Sequence, residues 1–222
     1  VWTGGLREIR GFSRNELGLI ILSGVALSFH FGLWIVSLSL TLVSTSVILV
    51  TSHPIFVAGV SHFLLKEKVK KLAAVGIVIA FSGVAVISIS DYRTGTGTLL
   101  GDLMAFVGGI CAGIYFLSGR IARQKLSVAP YAFSVYGLYS IILFGAAAVA
   151  GDKLLVSDSR ELTLFMLMAI VPTIFGHTMF NYALKKVPAH IISTSVLGEP
   201  VGASLLAYAI LPGEVPSVWI VL

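Results

Sequence analysis

The sequence predicts an all-α polytopic membrane protein whose two halves are related by an inverted internal repeat. Three observations predict it. Apolar residues gather in blocks long enough to cross a bilayer, basic residues alternate from loop to loop, and two segments match each other at a fixed offset.

The composition excludes most other classes. The 222-residue chain is 57% hydrophobic and only 11% charged, where a soluble domain carries roughly 25% charged residues. Its apolar blocks run to about 20 residues, the length that crosses roughly 30 Å of hydrocarbon. They lack the strict alternation of an outer-membrane barrel. The formal net charge of +5 does not point to nucleic acid, because the basic residues stand in short clusters between apolar blocks, where they report topology. Cys111 is the single cysteine. It offers neither a disulfide framework nor a metal cluster and reads as a small packing residue. No signal peptide is visible. The chain opens at Val1 and closes at Leu222 inside a new apolar run, so further helices are expected on both sides.

The first full span follows Arg7, Arg10 and Arg14 and covers about 17–38. The apolar stretch 17–65 would extend about 70 Å as one helix, twice a bilayer core. A break near Ser39–Thr41 divides it into helices 17–38 and 42–65. Further spans are expected at 72–90, 101–120, 130–150, 162–184 and 189–211, and an eighth begins near Ser217.

Loop charge orients these spans. One side holds Arg7, Arg10 and Arg14, then Lys66, Lys68, Lys70 and Lys71, then Arg120, Arg123 and Lys125, then Lys185 and Lys186. The other side holds only Arg93, Lys153 and Arg160. The positive-inside rule assigns the first side to the cytoplasm.

The internal match lies between residues 30–56 and 176–202. At an offset of 146 residues, Leu38 falls on Leu184, Val50 on Val196 and Pro54 on Pro200. Hydroxyl patches recur at the same depth, Ser44, Thr45 and Ser46 against Ser193, Thr194 and Ser195. A glutamate follows each helix exit, Glu67 and Glu214. By the loop charges, helix 42–65 runs toward the cytoplasm and helix 189–211 away from it. Equivalent helices therefore point in opposite directions, the architecture of many secondary transporters.

Several short patterns follow one another in a fixed order: Ser52-His53-Pro54, Lys66-Glu67-Lys68, Leu100-Gly101-Asp102-Leu103, Tyr182-Ala183-Leu184-Lys185, Gly198-Glu199-Pro200 and Pro212-Gly213-Glu214. With these the chain resembles the EamA-like members of the drug/metabolite transporter superfamily over essentially its whole length. The resemblance implies ten helices in two inverted five-helix halves with both termini cytoplasmic. Residues 1–90 would then hold helices three to five of the first half. Residues 101–222 would hold helices six to nine and the start of the tenth. It also implies export or uptake of small organic metabolites, such as amino acids, by alternating access. One departure stands out, since His53-Pro54 occupies the place that Glu199-Pro200 takes in the second half.

A transporter needs polar groups at membrane depth and places where helices bend. Glu199 is the acidic residue in the middle of a span, so it is protonated, paired or facing water. It reads either as a proton-titrating or substrate-contacting group or as a structural hydrogen-bond partner. Pro54 and Pro200 each free a backbone carbonyl and favour a kink or hinge, although membrane helices also tolerate proline without a functional role. His30, His53, His177 and Asn181 are polar residues within spans, and His177 and Asn181 share one helix face. Each is a candidate substrate contact and equally a candidate interhelical hydrogen bond. Trp34 and Tyr115 are candidate cavity walls or packing residues. Ser46 and Ser195 are candidate substrate donors, or they bond their own helix backbone. His62 reads as interfacial. Gly109…Gly113 and Gly198…Gly202 are small-residue pairs suited to close helix contacts. No zinc motif, nucleophile elbow or phosphate-binding loop occurs, so no metal, cofactor or catalytic residue is assigned. The expected partners are a small-molecule substrate, the lipid bilayer of the cell membrane and protons. An intramembrane enzyme or a non-transporting membrane subunit is the alternative reading.

Overall fold

A computed structural model describes residues 2–72, 74–76, 78–79, 82, 98–156 and 158–210. Within these residues the chain is helical, and five helical stretches are long and apolar enough to cross a membrane. Most of the expected span 72–90, the Arg93 loop, Pro212-Gly213-Glu214 and the helix expected from Ser217 lie outside the described residues. The described positions between 71 and 82 are helical.

A short helix α1, Trp2–Arg10, precedes α2, Arg14–Ser37. The start of α2 is set by a capping box. Ser13 N–H and Oγ both donate to Glu16 Oε2, at 2.8 and 2.7 Å, and satisfy groups that the first helical turn would leave orphaned. This polar box explains why the helix begins three residues before the apolar run. A turn over 38–41 ends it, at the expected break.

The next span is two helices. α3 covers Val43–Val50 and α4 covers Pro54–Phe63. The sequence suggested one kinked helix, and residues 51–53 interrupt it as a turn: Thr51 N–H still reaches Val47 O at 3.0 Å, but Ser52 N–H tightens onto Leu49 O at 3.2 Å. Pro54 has no N–H and occupies the first position of α4, where none is needed. α5, Leu99–Ala122, and α6, Val128–Ala150, are continuous. α6 stops in a Schellman motif. Gly151 has φ +79°, its N–H reaches Ala148 O at 3.2 Å, and Asp152 N–H reaches Ala147 O at 3.0 Å.

The span expected at 162–184 begins at α7, Ser159–Met168, capped by Asp158, which accepts from Arg160 N–H. It widens into a π-helical segment, Ala169–His177, and ends as α8, Thr178–Ala183. Pro172 lies inside the wide segment and cannot donate to the α-helical ladder. Threonine hydroxyls take up two carbonyls there, Thr173 Oγ1 donating to Met168 O and Thr178 Oγ1 to Thr173 O. The last span is also interrupted. α9, Ala189–Ser195, passes through a 3₁₀ turn, Val196–Gly198, into α10, Glu199–Ile210. Pro200 is the second residue of α10, much as Pro54 is the first of α4.

Two compact units divide the chain, residues 1–28 with 118–187 and residues 29–117 with 188–222. In the first, a fully buried hydroxyl chain crosses three helices. Tyr131 O–H donates to Ser23 Oγ at 2.8 Å, and Ser23 meets Ser118 at 2.7 Å. Ends bearing basic residues meet one another in this unit. Arg120 Nη1 donates to Leu184 O at 2.7 Å, and Glu8 accepts from Ser127 N–H at 2.6 Å. Arg123 is buried and donates through Nε to Asn181 O at 2.9 Å and through Nη1 to Leu126 O. Burial pulls its guanidinium below the usual arginine value, against the pull of Tyr131 and Glu8. These arginines satisfy the last carbonyls of α8, where a helix end favours cations.

In the second unit, glycines seat α5. A Cβ at Gly109 would lie 2.6 Å from Val50 O, and one at Gly113 would lie 2.6 Å from Phe56 Cδ1. Lipid offers helices no hydrophobic drive to associate, so close backbone approach of this kind supplies much of the packing. Gly101 approaches Leu40 equally closely, which accounts for the glycine of Leu100-Gly101-Asp102-Leu103. The pair Gly198…Gly202 differs from expectation: among the described residues no neighbouring atom lies within 4 Å of a Cβ built at either position. α3 packs on α10 and α4 on α9, so the two interrupted spans cross antiparallel, with their breaks at the crossing.

Candidate functional site

The break at residues 51–53 makes the site. Thr51 Oγ1 donates to Val47 O and Ser52 Oγ to Leu49 O, both at 2.7 Å. Each hydroxyl shares its carbonyl with the backbone N–H of the same residue, a back-bonding that bends helices where it occurs. His53 is thereby left at the N-cap of α4, buried at 4% exposure, its ring 5.2 Å from that of Phe116. Beside it lies a cavity of about 240 Å³ lined by Ser52, His53, Ile55, Phe56, Phe106 and Ile110. The volume falls just below the roughly 300–1,000 Å³ of pockets for drug-sized ligands. Phe106, Ile110 and Gly113 recur at helical spacing on α5. The glycine brings that face against α4 while the two larger residues wall the space.

The other expected site residues occupy varied positions. His30 is buried, with Nδ1 3.0 Å from Gly108 O. A carbonyl only accepts, so Nδ1 carries the proton and the ring bridges two helices. Trp34 stacks on His30 at 5.9 Å and 18°, and its buried Nε1 meets no partner among the described residues. Ser46 is bonded to Ser37 at 2.7 Å. Tyr115 is fully buried and packs against Phe116, a core position. Ser195 donates to Ile192 O of its own helix at 2.7 Å. Glu199 is exposed at the first position of α10, where a carboxylate complements the positive end of the helix dipole.

His177 and Asn181 belong to the other unit. Asn181 is fully buried, its Nδ2 donating to Tyr136 Oη at 3.1 Å. Of the candidates, His53 alone lines the cavity. Ser52, Phe56, Phe106 and Ile110 were not singled out from sequence. Their one-dimensional signal is weak: a hydroxyl next to a mid-span proline, and aromatics one turn from a glycine pair. Among the described residues no three metal-ligating side chains converge.

A model of the EamA-like transporter family matches residues 2–89 and 99–222. The chain is 26% identical over 206 residues to an uncharacterized transporter of Clostridium kluyveri, across 89% of this chain and 65% of that protein. It is 30% identical over 172 residues to an uncharacterized transporter of Archaeoglobus fulgidus, across 75% of this chain and 58% of that protein. It is 24% identical over 220 residues to the uncharacterized transporter YyaM of Bacillus subtilis, across 95% and 70% respectively. The chain thus spans less than two thirds of the length of the first two of these relatives.

Proposed function

Because the chain belongs to the EamA-like transporter family, a multi-pass membrane protein family, we propose that it carries a small organic metabolite across the cytoplasmic membrane by alternating access, with the cavity beside His53 as part of the substrate path. The observation that carries this reading is the interrupted span. Irregular backbone at membrane depth is tolerated where it is buried in protein or lines a cavity, and residues 51–53 border one that has a single imidazole and a hydroxyl among apolar walls. In this reading His53 and Ser52 supply polar recognition, and Phe56 and Phe106 the apolar walls. His30 and Trp34 hold α2 against α5.

The two interrupted spans support the inverted-repeat reading of two five-helix halves. Each restarts at a proline within its first two helical residues, and the two cross antiparallel. Substrate sites of such transporters lie near mid-membrane at discontinuous helices. Proton coupling would fall to Glu199, the carboxylate at the restart of α10.

A thermal-shift screen of the full-length protein against a metabolite panel tests the reading, since a ligand of the folded state raises Tm by mass action. A stabilising metabolite is expected to lose its effect in His53→Ala. Stabilisation unchanged in His53→Ala would remove this cavity from the substrate path.

A further inference from the structure

Glu67, just after one interrupted span, and His190, at the start of the other, meet beside the basic segment Lys66–Lys71. Glu67 Oε2 lies 3.5 Å from His190 Nδ1, and both side chains are only 13% exposed. Each partner is aimed by a rigid piece of backbone. Lys66 stands in the left-handed region at φ 56°, and beyond it Glu67 N–H closes back on Ser61 O at 3.0 Å. A lysine rarely adopts that conformation, and it persists where its surroundings over-determine it. His190 follows Pro188 and Ala189 at the start of α9. Its carbonyl accepts from the hydroxyls of Ser193 and Thr194 at 3.1 and 2.6 Å. α4, which ends four residues before Glu67, and α9, which carries His190, pack on each other.

We propose that Glu67 and His190 form a latch holding the basic-side ends of α4 and α9 together, and that this end opens only when the pair parts. The contact is too long for a tight hydrogen bond and part-exposed, so it biases a conformational balance without freezing it. It joins the two spans below their breaks at residues 51–53 and 196–198. Those breaks are where each half-helix can swing. The latch therefore acts on the segments that would have to separate to uncover the His53 cavity from that side. The inference rests on the transport reading for its purpose, and its test does not.

Spin labels at His62 and Ile191, both exposed on the two helices, report the separation by pulsed dipolar spectroscopy in full-length protein carrying Cys111→Ser. A single short distance is expected with the native pair. Glu67→Gln and His190→Gln should each raise the population of a longer distance roughly two- to fivefold, the double variant no further than either alone. The exchanged pair Glu67→His with His190→Glu should restore the short distance. An unchanged distribution in both single variants, or additive effects in the double variant, overturns the latch. Flux in liposomes, run on the same proteins, reports the transport reading separately. A distance shift in a protein that moves no metabolite would support the latch and sink that reading.

Discussion

Gly109 lies so close to Val50 that a Cβ at this position would stand 2.6 Å from the Val50 carbonyl oxygen. The obstacle is backbone, which a side-chain rotation cannot clear. The contact therefore dictates how near α5 comes to α3, and with it the shape of the cavity beside His53.

Gly109→Ala should cost about 1–3 kcal/mol, the range for overpacking a well-filled core, and lower Tm in detergent. Gly145→Ala is the matched control. No neighbouring atom among the described residues lies within 4 Å of a Cβ there, so the change should be neutral or mildly stabilising through helix propensity. Equal melting temperatures for the two variants would show that α5 is not seated by Gly109.

Arg123 holds the end of α8. Arg123→Met removes the donors to Asn181 O and Leu126 O and leaves buried carbonyls unpaired, at a cost of about 2–3 kcal/mol. Arg123→Lys should recover only part of this, because an ammonium cannot reproduce the guanidinium fork. Thermal unfolding followed by tryptophan fluorescence checks the order native, Lys, Met. A lysine variant as stable as the native protein would reduce the role of Arg123 to charge alone.

Glu199→Gln tests the proposed coupling role. The exposed carboxylate opens α10, and the amide is isosteric but does not titrate. Substrate flux in liposomes should keep its substrate dependence and lose its dependence on an imposed pH gradient. A gradient response equal to that of the native protein would exclude Glu199 as the proton-carrying group.

Much of the architecture was legible because it depends on one-dimensional quantities. Among the described residues, apolar block length placed the helices to within a few residues, with the break at 39–41 where expected. The boundaries that moved did so for local polar reasons, such as the Ser13–Glu16 capping box ahead of α2. The candidate site was less legible. Mid-span polarity singled out His53, which lines the cavity, together with Ser195, which bonds its own helix, while the aromatic candidate Tyr115 is a packing residue. Polarity at depth says that a side chain must find a partner. It does not say whether that partner is a helix, a hydroxyl or a solute.

By itself the sequence determined that the chain crosses a membrane repeatedly, which loops carry the basic charge, and that two apolar spans each contain a proline, Pro54 and Pro200. Hydrophobic length, charge and a missing N–H act locally, so they can be read residue by residue. The tertiary structure alone decided that Pro54 begins a new helix, that Pro172 lies in a π-helical segment, that Phe106 and Ile110 close a cavity against His53, and that Glu67 finds His190. Each of these depends on which distant backbone comes within contact. That is set by close packing of whole helix faces, a property of pairs of segments and of no single one.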